Sequence, residues 1–190
     1  MTFQFKIQLT SIADPPVWRR LQVPEQFSFL RMHHVIQAAF GWENYHLFQF
    51  SQKGYASHPS ITIPTEEDEF LFGGEKPLHA NKVKLNEIFT APKQKFTYIY
   101  DFGDDWVHII TLEKILEIKS LRAACTDGMG ACPPEDCGGP LGYENLKTIL
   151  NDPKHPEHAE TKEWLGMSKK QKWNVEAFDL EKTRALVAKA

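Results

Sequence analysis

Phe3, Phe5, Ile7 and Leu9 alternate with Gln4, Lys6 and Gln8, the period of two expected of a strand with one buried face. Asp14-Pro15-Pro16 breaks that run, and Val17, Leu21 and Val23 place a second strand before Pro24. The period then changes. Ser28 is a favoured N-cap residue, and behind it Phe29, Met32, Ile36, Ala39 and Phe40 recur at helical spacing until Gly41 stops the helix. Leu47 to Ser51 reads as a further strand that ends near Gly54.

From Ser57 to Lys84 the pattern weakens, with short β-like pieces around Ile61–Ile63 and Phe70–Phe72 and then one helical turn over Leu85–Phe89. The clearest local element follows. Phe96–Phe102 and Trp106–Leu112 are rich in aromatic and β-branched residues and flank Gly103-Asp104-Asp105, which predicts a β-hairpin. Symmetric pairing about that turn sets Tyr100 opposite His108. The second strand extends towards Ile118, and Val107, Ile109 and Ile110 give it apolar groups on both faces, as in a central strand.

The last third is helical in pattern. Tyr143 to Leu150 forms one helix, a second runs from about Pro156 to Trp164 with Gly166 as its stop, and Asp179 caps a third over Leu180–Ala188. Strands mainly in the first two thirds and helices at the end indicate an α+β fold. The expected architecture is a mixed, mainly antiparallel sheet with a helix after the second strand and several helices in the C-terminal third. No repeat, linker or composition shift divides it, so residues 1–190 read as a single domain.

Composition refines this picture. Thirteen Phe, five Trp and five Tyr supply enough buried area for a packed core and exclude a disordered chain. A formal net charge of −3 argues against broad binding to nucleic acid, which needs a positive surface. The N-terminus lacks a basic head with an apolar run behind it, and no stretch is apolar enough to span a bilayer, so the expected location is cytoplasmic.

All three cysteines fall in one window, Cys125 to Cys137, together with two prolines, several glycines and the carboxylates of Asp127, Glu135 and Asp136. In a reducing compartment such thiols suit metal ligation better than a disulfide. Zinc takes about four ligands and favours thiolate with imidazole. Cys125, Cys132 and Cys137 with His108 make a chemically sensible set, with His155, His158 and the window's own carboxylates as other candidates for the fourth place. Six residues separate the first pair of thiols and four the second, unlike the two-residue gap of zinc ribbons. The competing reading is a stiff, glycine-rich loop whose thiols pack as small apolar groups. Asp104, Asp105, Glu135 and Asp136 form a second set of candidate site residues, and turn chemistry alone also accounts for the two aspartates after Gly103.

Other motifs carry less. His155-Pro156-Glu157-His158 lacks the spacing of the zinc-protease helix, and the glycines at 138–139 are not a nucleotide-binding loop because the Gly-Lys-Ser/Thr ending is missing. His33-His34 lies on the first helix, where at most one ring faces the core.

Tyr100-Asp-Phe-Gly-Asp-Asp-Trp-Val-His108 and Cys132-Pro-Pro-Glu-Asp-Cys-Gly-Gly-Pro-Leu-Gly-Tyr143 strongly resemble the plasmid pRiA4b ORF-3-like family. Val17-Trp-Arg-Arg-Leu21, Phe29 through Trp42, His46-Leu-Phe48 and Phe178-Asp179 fit the same pattern, so the likeness covers most of the chain. The resemblance implies a single α+β domain of prokaryotes, often associated with plasmids or mobile elements. It supplies no reaction and no catalytic residue set. Some relatives carry a resolvase-like label, but Ser11 and Arg19-Arg20 do not form the serine recombinase signature.

Three functions follow as expectations. The first is a non-enzymatic binding or accessory module whose cysteine loop holds zinc. The second is a hydrolase or transferase that uses His108 with a thiol or carboxylate of the loop, which requires those groups within hydrogen-bond reach. The third, prompted by the mobile-element context, is a DNA-associated protein. The sequence identifies no substrate, partner or oligomeric state.

Overall fold

A computed structural model describes residues 1–55, 57–64 and 76–190. Strands β1 (Thr2–Ala13) and β2 (Pro16–Pro24) pair antiparallel with Phe5 opposite Leu21. Their alternation is realised in space: Phe3, Phe5, Ile7, Leu9, Val17, Leu21 and Val23 are all buried. Helix α1 (Phe29–Phe40) starts where the Ser28 hydroxyl accepts from the Arg31 N–H at 3.2 Å, and it ends at Gly41 in a left-handed conformation, φ 81°. Its apolar face packs on the sheet through Phe29, whose ring lies 5.0 Å from Phe50 and 5.8 Å from Phe96. Burying one such ring stabilises the fold by about 1.5–3 kcal/mol.

Among the described residues the remaining elements are β3 (Phe48–Ser51), β4 (Ile61–Thr62), β5 (Leu78–His79), α2 (Leu85–Ile88), β6 (Lys95–Tyr100), β7 (Trp106–Leu116), β8 (Ala124–Met129), α3 (Gly139–Asn151), α4 (His158–Trp164) and α5 (Leu180–Val187). One eight-stranded sheet has the order β5-β4-β3-β6-β7-β1-β2-β8. Only β4 and β5 run parallel; every other neighbouring pair is antiparallel. With helices in the last third as well, the fold is α+β. The expected β-like piece at Phe70–Phe72 lies outside the described residues. None of the described helices is long and apolar enough to cross a membrane.

Two local expectations change. In the β6–β7 hairpin Tyr100 faces Trp106 and it is Tyr98 that faces His108. The turn is wider than Gly103-Asp104-Asp105. Asp101 and Asp105 both adopt φ 57°, and the Asp105 N–H donates to the Asp101 carbonyl at 2.7 Å. The loop therefore spans 101–105, and the pairing centre moves to Gly103. The cysteine window is not all loop either, because Ala124–Met129 forms β8 on the sheet edge beside β2.

Arg19 joins these parts. Arg19 is buried, 3% exposed, and its guanidinium faces no carboxylate among the described residues. It donates instead to the carbonyls of Ala39 (3.0 Å), Trp18 (2.8 Å), Met129 (2.8 Å) and Gly130 (3.1 Å), between the rings of Phe40 and Phe178. The end of α1, β2 and the exit of β8 are thereby pinned together. A buried cation needs all of those acceptors, since leaving it unsatisfied costs several kcal/mol.

Candidate metal centre

β3 begins where β6 ends, because the two run antiparallel with Phe48 opposite Tyr100. The Asp101 N–H donates to the Leu47 carbonyl at 2.9 Å and carries the ladder one step further. His46 and Asp101, far apart in the chain, become neighbours at this end of the sheet. The segment after β8 closes the junction: Trp42 Nε1 donates to the Pro133 carbonyl at 2.9 Å, and the Glu43 N–H donates to Glu135 Oε1 at 3.1 Å. The Gly138 N–H donates to Asp104 Oδ2 at 3.2 Å.

Within that junction His46 Nε2 lies 3.1 Å from Asp136 Oδ1 and 3.6 Å from Asp101 Oδ2. The nitrogen is enclosed and makes no hydrogen bond to the described residues. Among the described residues this is the one group of three His, Cys, Asp or Glu side chains whose donor atoms all lie within 4.8 Å of one another. Asp101 Oδ1 is already engaged by the N–H groups of Gly103 (2.9 Å) and Asp104 (3.3 Å), which leaves Oδ2 for the His46 side. Asp101 and Asp136 both hold φ 57°, a region where aspartate is enriched among non-glycine residues. Donors in a tetrahedral shell at about 2.1 Å from a metal stand about 3.4 Å apart. The observed separations bracket that value. One imidazole and two carboxylates suit zinc or manganese better than a soft thiolate-seeking metal.

The four expected zinc ligands are not gathered into such a group. His108 sits on β7 with no exposed surface, its ring against Phe40 (4.9 Å), Trp42 (5.3 Å) and Tyr98 (5.2 Å). Its Nδ1 pairs with the Trp106 carbonyl at 2.9 Å, and burial pulls its pKa down to about 3. Cys125 is buried on β8 with its thiol 3.5 Å from the Asp127 carbonyl. Cys132 lies near Arg19, yet burial outweighs that positive charge and pushes the thiol well up. Burial, then the charge of Asp104, pushes the Cys137 thiol up to about 12. Strand alternation explains the dispersal: β8 turns Cys125 into the core, while the other two follow in a separate segment.

The second candidate set fares differently. Asp136 is a member of the cluster. Glu135 accepts from Tyr100 Oη at 2.6 Å, Asp104 receives the Gly138 N–H, and Asp105 Oδ1 accepts from the Tyr55 hydroxyl at 2.9 Å. All three brace the junction. His46 and Asp101 were not singled out from the sequence as site residues. The signal that finds them is the pairing of β3 with β6, which sets the residue ahead of one strand beside the residue behind the other.

Comparison with known proteins agrees with this architecture. The chain is 37% identical over 167 residues to the uncharacterized protein y4hQ of Sinorhizobium fredii (strain NBRC 101917 / NGR234), covering 87% of this chain and 81% of that one. The crystal structure of MM3350, a protein of unknown function from Methanosarcina mazei Go1, superimposes with a TM-score of 0.78 at 34% identity, covering 95% of this chain and 96% of that one. The model of the plasmid pRiA4b ORF-3-like proteins matches residues 1–182, and the chain belongs to that family.

Proposed function

We propose that the protein is a non-enzymatic binding module whose ligand is a divalent cation, zinc or manganese, held by His46 Nε2, Asp101 and Asp136. The observation that carries this reading is the enclosed His46 nitrogen, unbonded between two carboxylate oxygens at 3.1 and 3.6 Å. The cysteine loop takes part through Asp136 rather than through sulfur. Binding is favoured over reaction because the Cys132 and Cys137 thiols are held protonated and His108 is enclosed and neutral, so these groups make no activated nucleophile beside a base.

Elemental analysis of protein purified without chelator, followed by calorimetric titration with zinc and manganese, tests the proposal. The expected result is one equivalent bound, lost in Asp136→Asn and His46→Ala and retained in Cys132→Ser. Less than a tenth of an equivalent in the native protein overturns it. Binding that survives Asp136→Asn but is lost in Cys132→Ser would return the metal to the thiols.

A further inference from the structure

Strand alternation sends Phe5, Ile7 and Leu112 to the side of the sheet that α1 covers and leaves Lys6, Gln8, Ile109 and Thr111 partly exposed on the other. On that open side lies a groove of about 500 Å³, lined by Lys6, Gln8 and Thr10 of β1, Ile109, Thr111 and Glu113 of β7, and Lys95 of β6. Its volume falls within the roughly 300–1,000 Å³ of small-ligand sites.

The ladder sets two lysines around one hydroxyl. Lys95 pairs with Thr111 and Thr111 with Lys6, so the two stems rise on either side of Thr111 in one row across three strands. Paired Cα atoms in antiparallel strands stand about 4.5–5.5 Å apart, which sets the stems about 10 Å apart. Both ammoniums reach an anion seated over Thr111. Neither forms a hydrogen bond or ion pair with the described residues. Lys6 Nζ lies 5.1 Å over the Trp18 ring, a contact that leaves its N–H donors unpaired. Lys95 also borders a smaller hollow with Glu87, whose carboxylate accepts from the Lys84 N–H at 2.9 Å instead. Glu113 is the one carboxylate in the groove's described lining, and it is already taken. Arg20 donates to its two oxygens at 2.8 and 3.3 Å, and Gln4 Nε2 donates at 3.0 Å. The groove thus keeps two uncompensated positive charges, in a chain whose net charge is −3.

Two ammoniums match a dianion. A phosphate monoester carries nearly two charges on three oxygens, enough for both lysines and the Thr111 hydroxyl, whereas a carboxylate has one charge on two. Beside that row, the Gln8 amide makes no hydrogen bond to the described residues. Thr10 donates to the Val107 carbonyl at 3.2 Å and keeps its lone pairs, and Ile109 is the lining's one apolar side chain. Such walls suit a hydroxylated body. A nucleic-acid strand fits less well, because it needs several stacking rings. Trp18 is the one aromatic side chain on this side of β1, β2 and β7, and both Lys6 and Arg20 lie 5.1 Å over it.

We propose that this groove binds the phosphate monoester of a small hydroxylated molecule, such as a sugar phosphate, with Lys6, Lys95 and the Thr111 hydroxyl around the phosphate. It makes no use of the cation site at His46, so either reading can fail alone.

The test is an NMR titration of isotopically labelled full-length protein, in EDTA so that no divalent cation takes part. Glucose 6-phosphate should give saturable amide shifts at Lys6, Gln8, Ile109 and Thr111, and glucose none. Glucose 6-sulfate, a monoanion of similar shape, should bind at least fivefold more weakly, and so should inorganic phosphate, which lacks the body. Lys6→Gln and Lys95→Gln lie outside the core and should each weaken binding at least fivefold, with the rest of the spectrum unchanged. No saturable shift, shifts with glucose, equal binding of the sulfate or of inorganic phosphate, or full affinity in either lysine variant would each overturn the inference. An oligothymidylate that shifts the same amides at lower concentration overturns it in favour of a nucleic-acid backbone.

Discussion

The Tyr100 hydroxyl donates to Glu135 Oε1 at 2.6 Å while it accepts from the backbone N–H groups of Tyr45 (3.0 Å) and His46 (3.4 Å). One phenol at the end of β6 thus ties the loop that carries His46 to the loop that carries Asp136. Burial, reinforced by the negative charge of Glu135, pushes its pKa well above the usual tyrosine value, so it stays protonated and keeps donating. The Trp42 ring stacks on it at 5.0 Å and holds its plane.

Tyr100→Phe keeps the ring and removes the clamp. Zinc affinity should fall about 10–100-fold, as when an outer partner of a metal ligand is lost. Stability should fall by only about 1–3 kcal/mol, the cost of leaving buried groups unpaired. Calorimetric titration beside urea unfolding separates the two. An unchanged zinc affinity would mean that the two loops are positioned by other contacts.

Gly139→Ala tests the same junction from the backbone. Gly139 holds φ 67°, and a Cβ there would collide with the Asp104 carbonyl oxygen. Either the 101–105 turn or the start of α3 has to move. Both left-handed strain and the clash act together, so a loss of about 1–3 kcal/mol is expected with weakened zinc binding. Chemical denaturation and calorimetry are the readouts.

Thiol alkylation separates packing from chemistry. Cys137 is pushed up to about 12 and Cys132 is raised further, while Cys125 is raised by burial on β8. Thiolate is the reacting form. Iodoacetamide at pH 8 should therefore modify the native protein far more slowly than free cysteine, with all three residues reacting at once in urea. Rapid native labelling of Cys132 or Cys137 would contradict this picture.

Acid sensitivity follows from two histidines. His33 and His108 are buried and neutral, each with a folded-state pKa of about 3 against an ordinary 6.5, chiefly through burial. Below about 6.5 the unfolded chain binds protons that the folded state refuses. Stability is therefore complete above that pH and is lost as pH falls towards 3, by up to about 1.4 kcal/mol per pH unit for each histidine. Urea unfolding between pH 7 and 4 should show the slope, and His108→Gln should reduce it by about half.

Much of the local structure was readable in advance. The Ser28 cap, the Gly41 stop and the Asp179 cap on α5 were each anticipated and are each present, because a cap depends on residues within one turn of it. The hairpin was found but its register was displaced, since two aspartates in left-handed conformation widened the turn. The proposed site was only partly visible as a set of candidate residues. Asp136 and its bracing neighbours stood out as carboxylates in a proline- and glycine-rich loop. His46 and Asp101 did not, and the three thiols that did are not gathered with His108 into one group.

Periodicity, caps and turn chemistry determined the kind of fold, because they arise from neighbours a few residues apart and persist in any arrangement of the elements. The pairing of β3 with β6, and the seating of the segment after β8 against both, was decided only in three dimensions. Those contacts join stretches of chain separated by tens of residues, and they form where long-range burial of aromatic faces outweighs the entropy of closing the loops. Asp136 and the Cys137 thiol, adjacent in the chain, are sent to different surroundings by that choice. The cation site proposed above rests on Asp136, and not the thiol next to it, having arrived beside His46.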